Sequence, residues 1–95
     1  MSGEVYRGPA VLDVGGDRHD VRVHLAGHVE PVDGRYHWGG RVAPDPAVAG
    51  LVRAGARDAR LVVGAAPAAD VRLTEVDPWG GVVLRATGIP PWDAP

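Results

Sequence analysis

Residues 27–41 read Gly-His-Val-Glu-Pro-Val-Asp-Gly-Arg-Tyr-His-Trp-Gly-Gly-Arg, and this stretch decides how the rest of the chain is arranged. Asp33-Gly34 is a dipeptide that suits a two-residue type I′ turn, because both central positions of that turn need positive φ. A two-residue loop also fixes the register of the strands on either side of it, and this register places Glu30 opposite His37. We therefore predict a β-hairpin centred on this dipeptide.

The side chains of this hairpin separate into two sets, because successive side chains of a strand point to opposite faces. The first set is apolar and aromatic and is expected to face the core: Val29, Pro31, Tyr36 and Trp38. The second set is polar, with Val32 as its one large apolar member: His28, Glu30, Arg35, His37 and Arg41. Any chemistry at the polar set depends on whether that face points into the protein or into water.

Length and composition predict one folded domain over residues 1–95. The chain has 45% hydrophobic and 23% charged residues, proportions that are typical of a globular protein rather than a disordered one. Its ten basic residues are all arginine and are scattered among acidic residues, giving a net charge of −2. This pattern predicts neither a nucleic-acid partner nor binding to an anionic membrane surface.

Several chemical classes are excluded or disfavoured by what the chain lacks. There is no cysteine, which rules out disulfides, thiolate metal sites and cysteine nucleophiles. No apolar run is long enough to span a bilayer, and the first residues lack the features of a signal peptide, so a cytoplasmic location is expected. No glycine pattern matches a phosphate-binding loop, so no cofactor is predicted.

Alternation of apolar and polar residues predicts about six strands. They fall at residues 5–14, at 19–25 running on into the first arm of the hairpin, at the second arm of the hairpin, and at 59–63, 71–76 and 81–88. Gly8-Pro9 interrupts the first strand, which either begins at Ala10 or has its first half at a sheet edge or a bulge. Asp77-Pro78-Trp79-Gly80 has the residues of a tight turn, and the proline-rich tail at 89–95 is unsuited to a central strand.

One short helix is predicted after Asp45-Pro46, which pairs an N-cap residue with a proline at the first helical position. Val48, Leu51 and Val52 then form a single apolar stripe, and Gly55 is placed to end the helix. The spacing of the strands does not fit parallel βαβ units. We predict a mainly β protein, either a small antiparallel β-barrel or a strongly bent sheet, with an unpaired edge through which a homodimer could form.

Three segments of the chain resemble a family of uncharacterised small actinobacterial domains, domain of unknown function 4873. The segments are residues 6–10, residues 27–41 and residues 77–80. Members of that family resemble free-standing chains or segments appended to larger flavin-dependent monooxygenase-like proteins. The resemblance implies an accessory or small-molecule role in oxidative or secondary metabolism, with a flavin-dependent oxidoreductase as the partner, and it supplies no catalytic residues.

The polar set supports two chemical hypotheses. His28, Glu30 and His37, with His24, have the residue types of a two-histidine, one-carboxylate metal site. A solvated ladder of hydrogen bonds and ion pairs explains the same residues more simply, so no metal is predicted. The alternative is a general acid/base pair of Glu30 and His37, with Arg35 or Arg41 binding a carboxylate or enolate oxygen.

The aromatic residues support a binding hypothesis. Tyr36, Trp38, Trp79 and Trp92 supply most of the large side-chain volume in a chain without phenylalanine, so packing in the core is their simplest role. The same residues could instead line a pocket for an apolar or aromatic small molecule, to which His28 and Arg35 would add polar contacts. Trp92 follows two prolines near the end of the chain and is expected at a surface, an interface or a pocket mouth.

Three functions follow, in order of preference. The first is a small-molecule-binding or accessory domain of bacterial secondary or oxidative metabolism, with its pocket near Tyr36 and Trp38. The second is a small cofactor-free enzyme, a cyclase or isomerase, with Glu30, His37 and Arg41 as catalytic residues. The third is a structural partner module for a larger oxidoreductase.

Overall fold

Six strands and one helix make up residues 5–92, the part of the chain that the computed structural model describes. The elements are β1 (Val5–Val14), β2 (Asp17–Val29), β3 (Tyr36–Val42), α1 (Pro46–Arg53), β4 (Asp58–Val62), β5 (Ala69–Val76) and β6 (Val82–Thr87). Residues 1–4 and 93–95 lie outside the described residues, and with them the N-terminal segment and the end of the proline-rich tail discussed above.

The strands close into an antiparallel barrel in the order β1-β2-β3-β6-β5-β4. Strands β1 to β3 form one three-stranded meander and β4 to β6 form the other. Two seams join the meanders, one between β3 and β6 and one between β1 and β4. The predicted antiparallel β fold with one short helix is confirmed, and closure selects the barrel over the bent sheet.

The interior of the barrel is filled by aliphatic side chains. Each strand contributes residues at alternate positions, as the sequence pattern predicts, because alternate side chains share one face. The large side chains that are fully buried are Leu12, Leu25, Leu61, Leu73, Leu84, Val42, Val48 and Val82. A barrel of this size is therefore a packed core, and polar strand residues point outward into water.

Pro9 lies inside β1 without interrupting it. It sits opposite Arg22 of β2, and its carbonyl accepts a hydrogen bond from the Tyr6 hydroxyl at 2.6 Å. On the other side of β1, β4 pairs only with the segment from Val11 to Asp13. The first half of β1 is therefore an edge, which is the alternative in which a proline is tolerated.

The prediction of a two-residue turn at Asp33-Gly34 is wrong. The hairpin pairs Val29 with Tyr36, which leaves a six-residue loop over residues 30–35, and no residue other than glycine has positive φ within residues 5–92. The last backbone hydrogen bonds of this hairpin are those of Glu30, whose N–H donates to the Arg35 carbonyl and whose carbonyl accepts from the Gly34 N–H, both at 2.8 Å. The tight two-residue turn of this barrel is instead Gly15-Gly16, with φ of 60° and 95°.

The register differs from the predicted one by two residues, so each side chain keeps its expected face. His28 now lies opposite His37, where Glu30 was expected. Val29 and Pro31, predicted to face the core, are exposed, because Val29 is the last residue of β2 and Pro31 lies in the loop after it; Val29 is 60% exposed.

Helix α1 begins where the sequence predicts. The Asp45 carboxylate accepts hydrogen bonds from the backbone N–H groups of Ala47 and Val48 at 2.9 and 3.2 Å. The buried side of the helix, which includes Val48 and Val52, packs against β5 and β6. Within residues 5–92 no helix has the length and apolar character needed to cross a membrane.

A bulge in β5 corrects one further expectation. Leu73 lies opposite Leu84 and Glu75 opposite Val83, so Thr74 is an extra residue in the ladder. A bulge of one residue exchanges the two faces of a strand beyond it. Glu75, which simple alternation would place beside Leu73, is consequently exposed, while Val76 packs against the core.

Two glycines of β3 allow neighbouring backbones to approach. A Cβ atom at Gly39 would overlap the carbonyl oxygen of Leu84 in β6, and one at Gly40 would overlap that of His24 in β2. Both overlaps are with backbone atoms of the sheet, which cannot move aside as a flexible side chain would. These two positions therefore fix how tightly β3 packs between its neighbours.

We expect Gly40→Ala to destabilise the protein by on the order of 3 kcal/mol, because the added methyl group forces the β2–β3 ladder apart. Gly50→Ala is the matched control, since nothing lies within 4 Å of a Cβ atom at this helical position. That change should stabilise the protein by about 0.5–1 kcal/mol. Urea unfolding of both variants measures the effects, and equal stability of Gly40→Ala and the unchanged protein would contradict the close approach.

Candidate functional site

Four aromatic rings meet at one end of the barrel. Tyr36 and Trp38 occupy alternate positions of β3, and Tyr6 is on the face of β1 that also carries the buried Ala10. The tail brings Trp92 to them: its ring lies edge-on to Trp38 at a centroid distance of 5.3 Å and stacks on Tyr6 at 6.4 Å. We call these four residues the aromatic cluster.

Glycine makes room for one of these rings. A Cβ atom at Gly27 would lie 2.5 Å from the ring of Tyr36, so the ring covers bare backbone on β2. Gly27 is also the residue directly opposite Trp38, so Tyr36 covers the position on β2 that faces the indole. The hydroxyl of Tyr36 therefore lies inside the cluster instead of reaching solvent.

Three hydrogen-bonding groups of the aromatic cluster are buried without a partner among residues 5–92. They are the Tyr36 hydroxyl, the Trp38 Nε1 and the Trp92 Nε1. Trp38 is only 4% exposed. Buried polar groups in proteins nearly always have a hydrogen-bond partner, and an unsatisfied one costs free energy. Three such groups in one cluster indicate a place where a molecule supplying acceptors could bind.

A groove of about 630 Å³ adjoins the cluster. Tyr6 and Trp92 form part of its wall, and the rest comes from Val5, Val63, Pro67, Pro91 and two alanines of the β4–β5 loop. The groove exists because β4 leaves β1 after three residue pairs, so the first half of β1 and this loop diverge. Its volume lies within the range of roughly 300–1,000 Å³ that small-molecule sites occupy.

The polar set of the central hairpin lies on the outer surface of the barrel and forms two separate histidine–carboxylate pairs. The imidazole Nε2 of His28 lies 2.8 Å from the Glu30 carboxylate, and that of His37 lies 3.0 Å from the Asp33 carboxylate. The two imidazole rings are neighbours, with centroids 6.4 Å apart. The predicted register paired Glu30 with His37, whereas in the structure Glu30 pairs with His28 and His37 pairs with Asp33.

The Asp33 carboxylate organises the loop between β2 and β3. It accepts a hydrogen bond from the backbone N–H of Arg35 at 2.9 Å and a second from His37. Both hydrogen bonds lower the pKa of Asp33 below its ordinary value of 3.8, and the bond from the Arg35 N–H has the larger effect. Sequence reasoning assigned Asp33 only to a turn, because its bond to His37 appears only once the six-residue loop is known.

Of the remaining candidates, Arg41 lines an outer groove of about 1110 Å³ together with His28, Glu30 and His37, whereas Arg35 and Trp79 lie outside that groove. Arg35 lies exposed in the loop, and Arg41 is two positions past Gly39 on the outer face, with its Nε 4.0 Å from the Asp77 carboxylate. Trp79 sits on the β5–β6 turn, 74% exposed and apart from the other tryptophans. Among residues 5–92 no three histidine, aspartate or glutamate side chains are grouped so that they could hold a metal ion.

Tyr6 is the residue of the aromatic cluster that sequence reasoning missed. A signal was present, because Tyr6 shares the alternation of Ala10, Leu12 and Val14. The interruption at Gly8-Pro9 obscured it. Trp92 was expected at a surface or a pocket mouth, and the structure places it half-buried at the rim of the groove.

Comparison with known proteins gives one family and several relatives. The model of a family described as a domain of unknown function, DUF4873, matches residues 3–94. Uncharacterized proteins of Mycobacterium bovis and of two strains of Mycobacterium tuberculosis are each 40% identical to the chain over 89 residues. The match covers 94% of this chain and 25% of each relative, so the chain spans a quarter of their length. No solved structure matches significantly.

The lowered pKa of Asp33 predicts how the loop responds to acid. A group whose pKa is lowered by folding stabilises the protein above its ordinary pKa, and this contribution is lost as the pH falls through the lowered value. We expect Asp33→Asn to lower the melting temperature at neutral pH, and the gap to the unchanged protein to shrink below pH 3.8.

Titration of the Asp33 side-chain carbon by NMR gives a direct check. The midpoint should fall below 3.8 in the unchanged protein. His37→Gln should raise it only part of the way, because the backbone bond from Arg35 is the larger cause. A midpoint at or above the ordinary value would show that the Asp33 bonds do not form in solution.

Proposed function

The chain belongs to the family described as domain of unknown function DUF4873, and from this premise we propose that it is a small-molecule-binding accessory domain. It serves bacterial secondary or oxidative metabolism alongside a flavin-dependent monooxygenase-like protein, and its ligand is an apolar or aromatic molecule held at the aromatic cluster. The observation that carries the proposal is the set of three buried, unpartnered hydrogen-bonding groups on Tyr36, Trp38 and Trp92.

The chemistry of these groups limits the ligand. An indole N–H only donates, so Trp38 and Trp92 each need an acceptor, and a phenol can donate to one as well. The walls of the adjoining groove are aromatic rings, prolines and small aliphatic side chains, which favour a flat apolar molecule. A planar ring system bearing carbonyl or ether oxygens combines both requirements.

The accessory role has support from both the fold and the relatives. The barrel interior is packed with aliphatic side chains, and the curated relatives carry the matched region as a quarter of a longer chain. A domain that occupies a quarter of a larger protein and has an apolar groove at one end suits the delivery or retention of a ligand for its neighbour.

A cofactor-free cyclase or isomerase has less support. Its acid and base, Glu30 and His37, bind different partners on the outer surface, where water competes for both. A low-dielectric, water-excluded site is what makes such groups effective. The partner-module alternative has one observation in its favour, the exposed indole of Trp79 on the β5–β6 turn.

The three tryptophans provide a test within a single spectrum, because each has one indole N–H resonance. We expect coumarin, a flat apolar molecule with carbonyl and ether oxygens, to shift the indole resonances of Trp38 and Trp92 and to leave that of Trp79 unchanged. Naphthalene has the same shape without the oxygens and should bind more weakly. Equal shifts at all three indoles, or none with either compound, would refute the proposed site.

A pair of matched variants separates the hydrogen bond from the packing. Trp92→Phe retains an aromatic ring and removes one donor, so coumarin should bind about fivefold more weakly, which corresponds to one neutral hydrogen bond. Trp79→Phe makes the same chemical change on the exposed turn and should leave binding unaltered. If both variants bind coumarin like the unchanged protein, Trp92 is not a ligand contact.

A further inference from the structure

The outer surface of the barrel carries a row of basic side chains on three adjacent strands. Arg7 of β1 lies directly opposite His24 of β2, which lies directly opposite Arg41 of β3. Arg22 is on the same face of β2, two residues before His24, and all four side chains are exposed. They line one groove of about 720 Å³, and no acidic side chain is part of its lining.

The row places Arg7 and Arg41 on either side of His24, two strands apart, and the residue between them is not a carboxylate. A second pair of arginines lies directly opposite across the sheet, Arg72 of β5 and Arg85 of β6, but there Arg72 also lies 3.3 Å from the Asp58 carboxylate. Among residues 5–92, neither Arg7 nor Arg22 has a carboxylate within 4.0 Å.

Among residues 5–92, Arg41 is the one member of the row with a carboxylate within 4.0 Å, that of Asp77, whose Oδ1 is held by the turn and whose Oδ2 faces Arg41. The Asp77 carboxylate accepts hydrogen bonds from the backbone N–H groups of Trp79 and Gly81 at 2.9 and 2.8 Å. At 4.0 Å from Arg41 Nε it is beyond hydrogen-bond range. The guanidinium of Arg41 is therefore available to another anion.

The sheet surface beside the basic row carries small residues. Ala26 of β2 lies opposite Gly39 of β3, and each is two residues from the basic residue of its own strand, His24 or Arg41, on the same outer face. Gly39 has a packing reason to be glycine, since its backbone lies against the Leu84 carbonyl. The result on the outside is a stretch of sheet without tall side chains, with the basic row on one side of it. On its other side this stretch borders a second groove, whose lining includes Glu30, Asp58, Asp70 and Glu75.

We call the groove lined by this row the basic trough. We propose that it binds a compact small molecule with two or more anionic groups, phosphates or carboxylates. Arginine forks bind both groups in a bidentate manner. Neighbouring strands are about 4.8 Å apart, so Arg7 and Arg41, two strands apart, span roughly 10 Å. That span suits a diphosphate or a tricarboxylate, and the four basic residues form one spot instead of the long track that a nucleic acid needs.

This site uses different residues from the aromatic cluster and does not depend on the proposed function. Its test is titration of the protein at low ionic strength with pyrophosphate and, separately, with citrate. We expect saturable shifts of the backbone amides of Ala26 and Gly39 with at least one of them. The anion that binds more tightly identifies phosphate or carboxylate as the preferred group.

Two variants and a control distinguish a site from general attraction. Arg7→Gln and Arg22→Gln should each weaken binding about tenfold, the loss expected for a charged hydrogen bond. Arg53→Gln removes the same charge from the last turn of α1 and should leave binding unchanged.

Three results would overturn the proposal. The first is the absence of a saturable response to both anions. The second is an equal loss of affinity in Arg53→Gln and Arg7→Gln, which would mean that only net charge matters. The third is tighter binding of a glutamate decapeptide than of either small anion, which would make the trough a surface for an acidic protein partner.

Discussion

The pairing of β1 with β4 is the constraint on which the rest of this barrel depends. Only three residue pairs, between Val11–Asp13 and Arg60–Val62, join the first meander to the second at this seam. Without them the molecule would be an open sheet with two free edges, and no face would be enclosed. Because the seam is short, the first half of β1 and the β4–β5 loop move apart beyond it. The groove beside Tyr6 and Trp92 lies between them.

Alternation along the strands was enough to predict the core, because each strand of a closed barrel has one face in oil-like surroundings and one in water. Leu12, Leu25 and Leu84 are all fully buried on the faces expected for them. The hairpin register was not predictable in the same way. Asp33-Gly34 satisfies the local turn preference, but the hydrogen bonds that the Asp33 carboxylate accepts from Arg35 and His37 belong to a longer loop, and a local rule does not show which of the two turns is more stable.

Contacts between distant parts of the chain were beyond sequence reasoning for a related reason. The basic row of Arg7, His24 and Arg41 exists only once the registers of two strand pairs are combined, and each pair has to be known to the residue. The position of Trp92 depends on the path of a tail with no regular structure after β6. Neither the basic row nor the position of Trp92 produces a repeating pattern in the sequence from which it could be predicted.

The aromatic cluster and the basic trough are two consequences of how β3 is packed. Trp38 points into the barrel and Gly39 faces out, so consecutive residues of one strand belong to the two surfaces. The backbone contacts of Gly39 and Gly40 hold this strand tightly between β2 and β6. A substitution at Gly39 or Gly40 therefore disturbs the strand that carries both surfaces. Four residues of the two surfaces lie outside this strand: Tyr6 and Trp92 in the aromatic cluster, and Arg7 and Arg22 in the basic trough. Substitutions at these positions can change one surface without the other.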